Sequence, residues 1–227
     1  MSRPPLFIHI PKTAGGAIVQ SNSALPVSVR YINNKMKSIE EMDPNYVMEI
    51  RPIPPFFKHL PYSYLDRSVL GRFDSVFTVV RNPWSRAVSL YNYADRIRAL
   101  INDKWYNQSK ISFEEFLDRR LKFKMTPGFY RAFPYDQWAC QSDWVVDGKN
   151  YAYKADVLRY ENLQEDLTNY LGKKVQIPVV NKGIYEDDYR SYYNEKTANI
   201  IADWFKTDIA RWGFTFEGPA TKNYWTP

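Results

Sequence analysis

The stretch LFIHIPKTAGGAIV, Leu6–Val19, decides how the chain is read. A short apolar run, Leu6–Ile10, closes at Pro11, which is the pattern of a buried strand. Two glycines follow, and Ala17–Ser21 reads as the opening turns of a helix. A strand, a glycine-bearing turn and a helix together make an anion site. The free N–H groups of the helix start point at the ligand, and the helix dipole favours negative charge. Gly15 and Gly16 let the backbone come close, Lys12 adds a mobile positive charge and Thr13 a hydroxyl. The Walker pattern, in which a lysine follows the glycines, is absent because Lys12 precedes them. An ordinary strand–turn–helix with a surface lysine fits the same spacing, so this stretch alone leaves both readings open.

Outward from it, the next strong strand is SVFTVV, Ser75–Val80, running into RNPWSRAVSLYNY. Asn82 before Pro83 predicts an N-cap with proline at the first helical position. Ala87, Leu90, Tyr91, Ala94 and Ile97 recur at helical spacing. Arg81 stands at the end of the strand, and an arginine fork can bind two phosphate oxygens at once. An arginine at a sheet edge and a solvated serine at Ser89 would give the same local sequence.

Elsewhere, VSVRYI (Val27–Ile32) is a candidate strand and Tyr64–Leu70 a candidate short helix, while RPIPPFF (Arg51–Phe57) is too proline-rich for a helix. SFEE (Ser112–Glu115) opens a helix through about Leu121, and Lys154–Tyr160 reads as a third strand. ENLQEDLTNYLG is a helix closed by Gly172. One last long helix is expected over Glu195–Trp212, before Gly213 and an irregular tail. Strands alternating with amphipathic helices predict an α/β fold: a three-layer sandwich with a central parallel sheet flanked by helices. No repeat or linker interrupts the chain, so a single domain spanning 1–227 is expected.

The totals narrow the function classes. Of 227 residues, 44% are hydrophobic and 25% charged, ordinary values for a globular chain. A net charge of +6 suits an anionic ligand, but no Lys/Arg-rich block supports nucleic-acid binding. Cys140 is the single cysteine, which excludes an intramolecular disulfide, and it is expected to be a buried, inert thiol. With His9 and His59 the only histidines, no metal site is expected. No apolar stretch approaches the roughly 20 residues of a membrane span. The expectation is a cytoplasmic protein with no membrane partner. The aromatic stretches around residues 91–138 are expected to be mostly core, although sugar stacking would use the same residue types.

HIPKTAGGAI resembles the 5′-phosphosulfate loop of the sulfotransferases, closest to their carbohydrate, Golgi-type, heparan- and chondroitin-like branch. RNPWSRAVSLYNY resembles the family's 3′-phosphate motif: Arg81, then Pro83, Ser89 and Tyr91. The likeness runs from Phe7 to Phe216 and includes VLRYENLQEDL, NKG and the C-terminal helix; it is weakest over residues 20–55 and 98–135. It implies a P-loop-like fold. It also implies transfer of a sulfuryl group from 3′-phosphoadenosine 5′-phosphosulfate (PAPS) to a hydroxyl of an acceptor, a saccharide being expected.

By the same resemblance, Pro11, Lys12, Thr13, Ala14, Gly15, Gly16 and Ala17 wrap the 5′-phosphate, and Lys12 also touches the leaving oxygen. Arg81 and Ser89 grip the 3′-phosphate, Lys182 is a second candidate there, and Tyr160 matches a tyrosine that contacts adenine. His59 matches the region of a catalytic histidine and is the candidate general base, with Glu49 or Asp66 as the fallback. His9 is taken as structural. Relatives commonly carry Thr or Ser at the positions of Gly16 and Ala17, so two hydroxyl donors are missing while the amides remain. Two other classes stay in view: a nucleotide-binding module of this fold without catalysis, and a P-loop kinase, which would need Mg²⁺ and an Asp where Arg81 stands.

Overall fold

A computed structural model describes residues 3–21, 30–31, 61–65, 67–101, 111–124, 137–147, 154–178 and 188–227. Its strands are β1 (Leu6–Ile8), β2 (Arg30–Tyr31), β3 (Val76–Val80) and β4 (Asp156–Arg159). The helices are α1 (Gly15–Ser21), α2 (Arg67–Leu70), α3 (Pro83–Ile101), α4 (Phe113–Lys124), α5 (Leu163–Leu171), α6 (Glu195–Trp204) and α7 (Lys206–Trp212), with short 3₁₀ turns between some of them. The four strands form one parallel sheet in the order β2-β1-β3-β4.

β1 and β3 are buried on both faces, which is why these two strands read as near-continuous apolar runs. Leu6, Ile8, Val80 and Val157 join one core with Ala87, Leu90 and Tyr91 of α3, Leu117 of α4, Ile201 of α6 and Trp212 of α7. Phe7, Phe77, Val79 and Leu158 face the other way, onto Ile18 of α1 and Leu163 and Leu167 of α5. The alternation of Leu6 and Ile8 against Phe7 is the period of two that a strand imposes. The result is the expected three-layer α/β arrangement.

The chain order across this sheet fixes where the site lies. From β1 the chain first goes to β2 on one side, then to β3 on the other. Correspondingly α1 packs on one face of the sheet and α3 on the opposite face. The crevice between the C-terminal ends of β1 and β3 is therefore a topological switch point, the place where open α/β sheets bind ligands.

Local signals held where they were chemical. Asn82 caps α3, its Oδ1 accepting from the amides of Trp84 (3.0 Å) and Ser85 (3.3 Å). Ser112 Oγ accepts from the Glu115 amide at the start of α4 (3.1 Å). Gly172 and Gly213 follow their helices in the left-handed region, at φ 65° and 66°. The long C-terminal helix is instead two, broken at Phe205 (φ −104°, ψ 24°). Phe205 is buried among Trp138 and Trp204. The bend also lets Asp208 of α7 accept from the backbone amides of Gln141 (2.7 Å) and Ser142 (2.9 Å). Packing at Phe205 and this carboxylate outweigh helix continuity, and neither is visible in the local sequence. Cys140 is half-buried where full burial was expected, its thiol donating to the Trp204 carbonyl (3.8 Å).

Candidate functional site

Strand register brings the first site residues together. Val80 of β3 pairs with Arg159 of β4, so Arg81 and Tyr160 are the next residues past the paired ends. The Arg81 guanidinium lies 4.1 Å from the centre of the Tyr160 ring. Its Nε donates to Ser85 Oγ (2.9 Å) and its Nη1 to the Lys12 carbonyl (3.3 Å). Desolvation lowers the Arg81 pKa from its ordinary value, with Tyr160, Glu161 and Tyr189 opposing the shift. A guanidinium keeps its charge through such a shift. The Arg81 backbone is pinned as well. Gln141 Oε1 accepts from its amide (2.8 Å) and Gln141 Nε2 donates to its carbonyl (2.9 Å). Gln141 is itself held by Asp208, so α7 reaches the site through two side chains.

The loop after β1 is bent unusually. Lys12 and Ala14 both sit in the left-handed region, at φ 68° and 71°, while Gly15 and Gly16 do not. Such a conformation costs a side-chain-bearing residue about 1–3 kcal/mol, and it persists only where the surroundings over-determine it. Thr13 is buried and its Oγ1 donates to the Ile10 carbonyl (2.9 Å). The amides of Ala17 and Ile18 both bond back to the Ala14 carbonyl (2.8 and 3.2 Å), so the helical ladder starts there. The amides of Gly15 and Gly16 belong to the open helix start. Gly15 is needed for a reason of space. A Cβ at this position would come within 1.9 Å of the His9 imidazole, whose ring stacks on Phe7.

One stripe of α3 faces this loop. Ser85 holds Arg81, and two turns on Tyr93 lies under the Lys12 ammonium, 4.3 Å from Nζ to the ring centre. Ser89 stands one turn from each, on the same face. Tyr93 is 37% exposed, whereas Tyr91 and Trp138 are buried in the core; Trp105, Tyr106, Phe129, Tyr130, Phe133 and Tyr135 lie outside the described residues.

The described residues thus bring together Pro11, Lys12, Thr13, Ala14, Gly15, Gly16, Ala17, Arg81, Ser89 and Tyr160 at one end of the sheet. His59, Lys182, Glu49 and Asp66 lie outside the described residues. Sequence reading missed Ser85, Arg86, Gln141 and Asp208, all buried polar groups around the same turns. Arg86 left one trace: a charge set among Trp84, Ala87, Val88 and Leu90 on a helix that buries them all. Among the described residues no cluster of His, Cys, Asp or Glu is arranged to hold a metal ion. No described helix is long and apolar enough to cross a membrane.

The profile of the family described as sulfotransferase domain matches residues 20–177, more than half of the chain, and begins just past the Lys12 loop. An uncharacterized protein of Archaeoglobus fulgidus is 30% identical over 114 residues, covering 45% of this chain and 68% of that one. Mouse sulfotransferase SULT7A1 complexed with PAP overlaps with a TM-score of 0.48 at 16% identity, covering 92% of this chain and 84% of the other. A sulfotransferase from Alicyclobacillus acidocaldarius gives 0.41 at 18% identity, with coverage of 92% and 96%.

Proposed function

The chain belongs to the sulfotransferase domain family, and on that premise we propose that it moves a sulfuryl group from PAPS to a hydroxyl of an acceptor, a saccharide being the acceptor class. One observation carries this reading. The Arg81 guanidinium donates to the Lys12 carbonyl (3.3 Å) across 69 residues of sequence, so the two segments that resemble phosphate motifs meet at the switch point.

The residues present fit a nucleotide with phosphates at both ends. The Lys12 loop offers amides and an ammonium for the 5′-phosphate, and its two left-handed residues shape an amide concavity suited to an anion. Arg81 and Ser89 serve the 3′-phosphate, with Lys182 as a further cation. Tyr160 presents an aromatic ring beside Arg81, in keeping with an adenine contact.

The donor supplies the sulfuryl group and a phosphate as leaving group. The protein's part is position and charge. Lys12 holds a positive charge where the leaving oxygen becomes negative. Gly15 leaves room for the His9 ring, and the amides of Gly15 and Gly16 at the open helix start take phosphate oxygens. Ser85, Gln141 and the Lys12 carbonyl hold Arg81 in one orientation, so no ordering of its long side chain remains for the binding step. His59 takes the proton of the attacking hydroxyl as general base. The scheme calls for no metal, because Lys12 and the loop amides supply the charge. We place the activity in a single cytoplasmic domain spanning 1–227.

Incubation with PAPS and a panel of saccharides, with and without a chelator, tests the proposal. The expected products are a sulfated saccharide and 3′-phosphoadenosine 5′-phosphate (PAP), in equal amounts and unaffected by chelation. PAP binding without turnover on any hydroxyl would indicate a nucleotide-binding module. Mg²⁺-dependent phosphoryl transfer from ATP would indicate a kinase.

A further inference from the structure

The scheme above uses Arg81 but not the second arginine of the same segment. Arg86, one turn into α3, is only 1% exposed. Its Nε donates to the Pro11 carbonyl (3.1 Å), its Nη1 to the Ala139 carbonyl (3.1 Å) and its Nη2 to the Gln137 carbonyl (2.6 Å). Its guanidinium also lies 5.7 Å from the centre of the Phe205 ring. A charge this deep is costly to bury unless its hydrogen bonds are well made. An apolar side chain of similar size would fill the space more cheaply.

In the loop after β1, the charge secures the plane of one peptide. Carbonyl and amide point in opposite directions across a trans peptide. Arg86 on the Pro11 carbonyl therefore aims the Lys12 amide the other way. Arg81 does the same for the next peptide, through the Lys12 carbonyl and the Thr13 amide. Between these two fixed planes Lys12 sits at φ 68°, a conformation that the residue does not favour by itself. Two guanidinium groups on consecutive carbonyls over-determine it.

We propose that Arg86 is a positioning residue for donor binding, which presets the Pro11–Lys12 peptide so that the loop amides take the 5′-phosphate, and which ties that setting to the segment at Gln137–Ala139. This rests on the reading of the loop as a 5′-phosphate site. Arg86 touches no reacting atom and acts through the loop. A purely structural arginine would stabilise the core and have no preference for one end of the nucleotide.

The test is calorimetric, with wild type, Arg86→Met and Arg86→Lys, against two probes. PAP carries both phosphates, and adenosine 3′-monophosphate lacks the one at the 5′ position. In wild type the 5′-phosphate should strengthen binding. In Arg86→Met, PAP affinity should fall by at least about tenfold, the factor carried by one lost charged hydrogen bond. Affinity for adenosine 3′-monophosphate should stay within about twofold, since it draws on Arg81 and Ser89. Arg86→Lys keeps the charge without the fork and should show the same selective loss in smaller degree; it carries the comparison if Arg86→Met does not fold. Equal losses for both probes, or none for either, would overturn the proposal and leave Arg86 a core residue. A wild-type protein that gains nothing from the 5′-phosphate would instead sink the reading of the loop itself.

Discussion

The turn after β1 and the turn after β3 each bring a cation to the same crevice, and they are held in different ways. The β3 turn is set by its own residues at the helix start, while Gln141 pins the Arg81 backbone and Glu161 accepts from the Asn82 amide (2.8 Å). Pro83 fixes φ at the helix start, and Asn82 caps the amides of Trp84 and Ser85. The same Asn82 then anchors the C-terminal tail, donating to the carbonyls of Thr215 (2.9 Å) and Gly218 (2.8 Å). The β1 turn is set from outside. Lys12 and Ala14 are left-handed against their preference, Arg81 and Arg86 grip the carbonyls, and the His9 ring fills the space over Gly15. A helix start encoded by adjacent residues keeps its shape when its neighbours change. A turn held by distant groups takes its shape only when the sheet is assembled, so its ligand geometry answers to substitutions far away in sequence.

The largest expected effect lies outside both turns. His59→Ala should abolish sulfuryl transfer while PAP binding stays near wild type; retained turnover would move the base to another group. Within the β1 turn, Lys12→Ala should lower kcat by about 10²–10³, the loss seen when one donor to a developing negative charge is removed. Wild-type rates in that variant would end its assigned role. In the β3 turn, Arg81→Ala should weaken PAP by about ten- to a hundredfold, and adenosine 5′-monophosphate far less. Equal losses on the two nucleotides would show that Arg81 does not read the 3′-phosphate.

The smallest effect sharpens the contrast most. Gly15→Ala places a methyl against the His9 ring, so it should distort the loop and weaken PAP by about tenfold, the size of a typical 1–3 kcal/mol overpacking penalty. Adding His9→Ala should recover most of that loss. Failure of the pair to compensate would mean that space at Gly15 is not what His9 controls.

How much of this could be read from the sequence follows the same division. The β3 turn was legible because its determinants are adjacent: strand, Arg81, Asn82, Pro83 and an apolar helix stripe. The loop after β1 was legible as a location. Its glycines suggested close approach of the backbone; that the left-handed residues are Lys12 and Ala14, and that Gly15 leaves room for the His9 ring, depends on contacts the local sequence does not carry. Gln141 and Asp208 could not be found from sequence, since Gln141 reaches Arg81 from 60 residues away and Asp208 reaches Gln141 from 67. The break at Phe205 was hidden for the same reason: helical spacing of apolar residues continues through it, and only tertiary packing interrupts it.

Nucleotide binding in the crevice between β1 and β3, through separate 5′- and 3′-phosphate sites, is the property on which the proposed function stands. Calorimetric titration with PAP in the absence of metal measures it. Binding is expected at about micromolar affinity, roughly −8 kcal/mol, sharply weakened when the 3′-phosphate is removed. No binding, or binding indifferent to the 3′-phosphate, would contradict it.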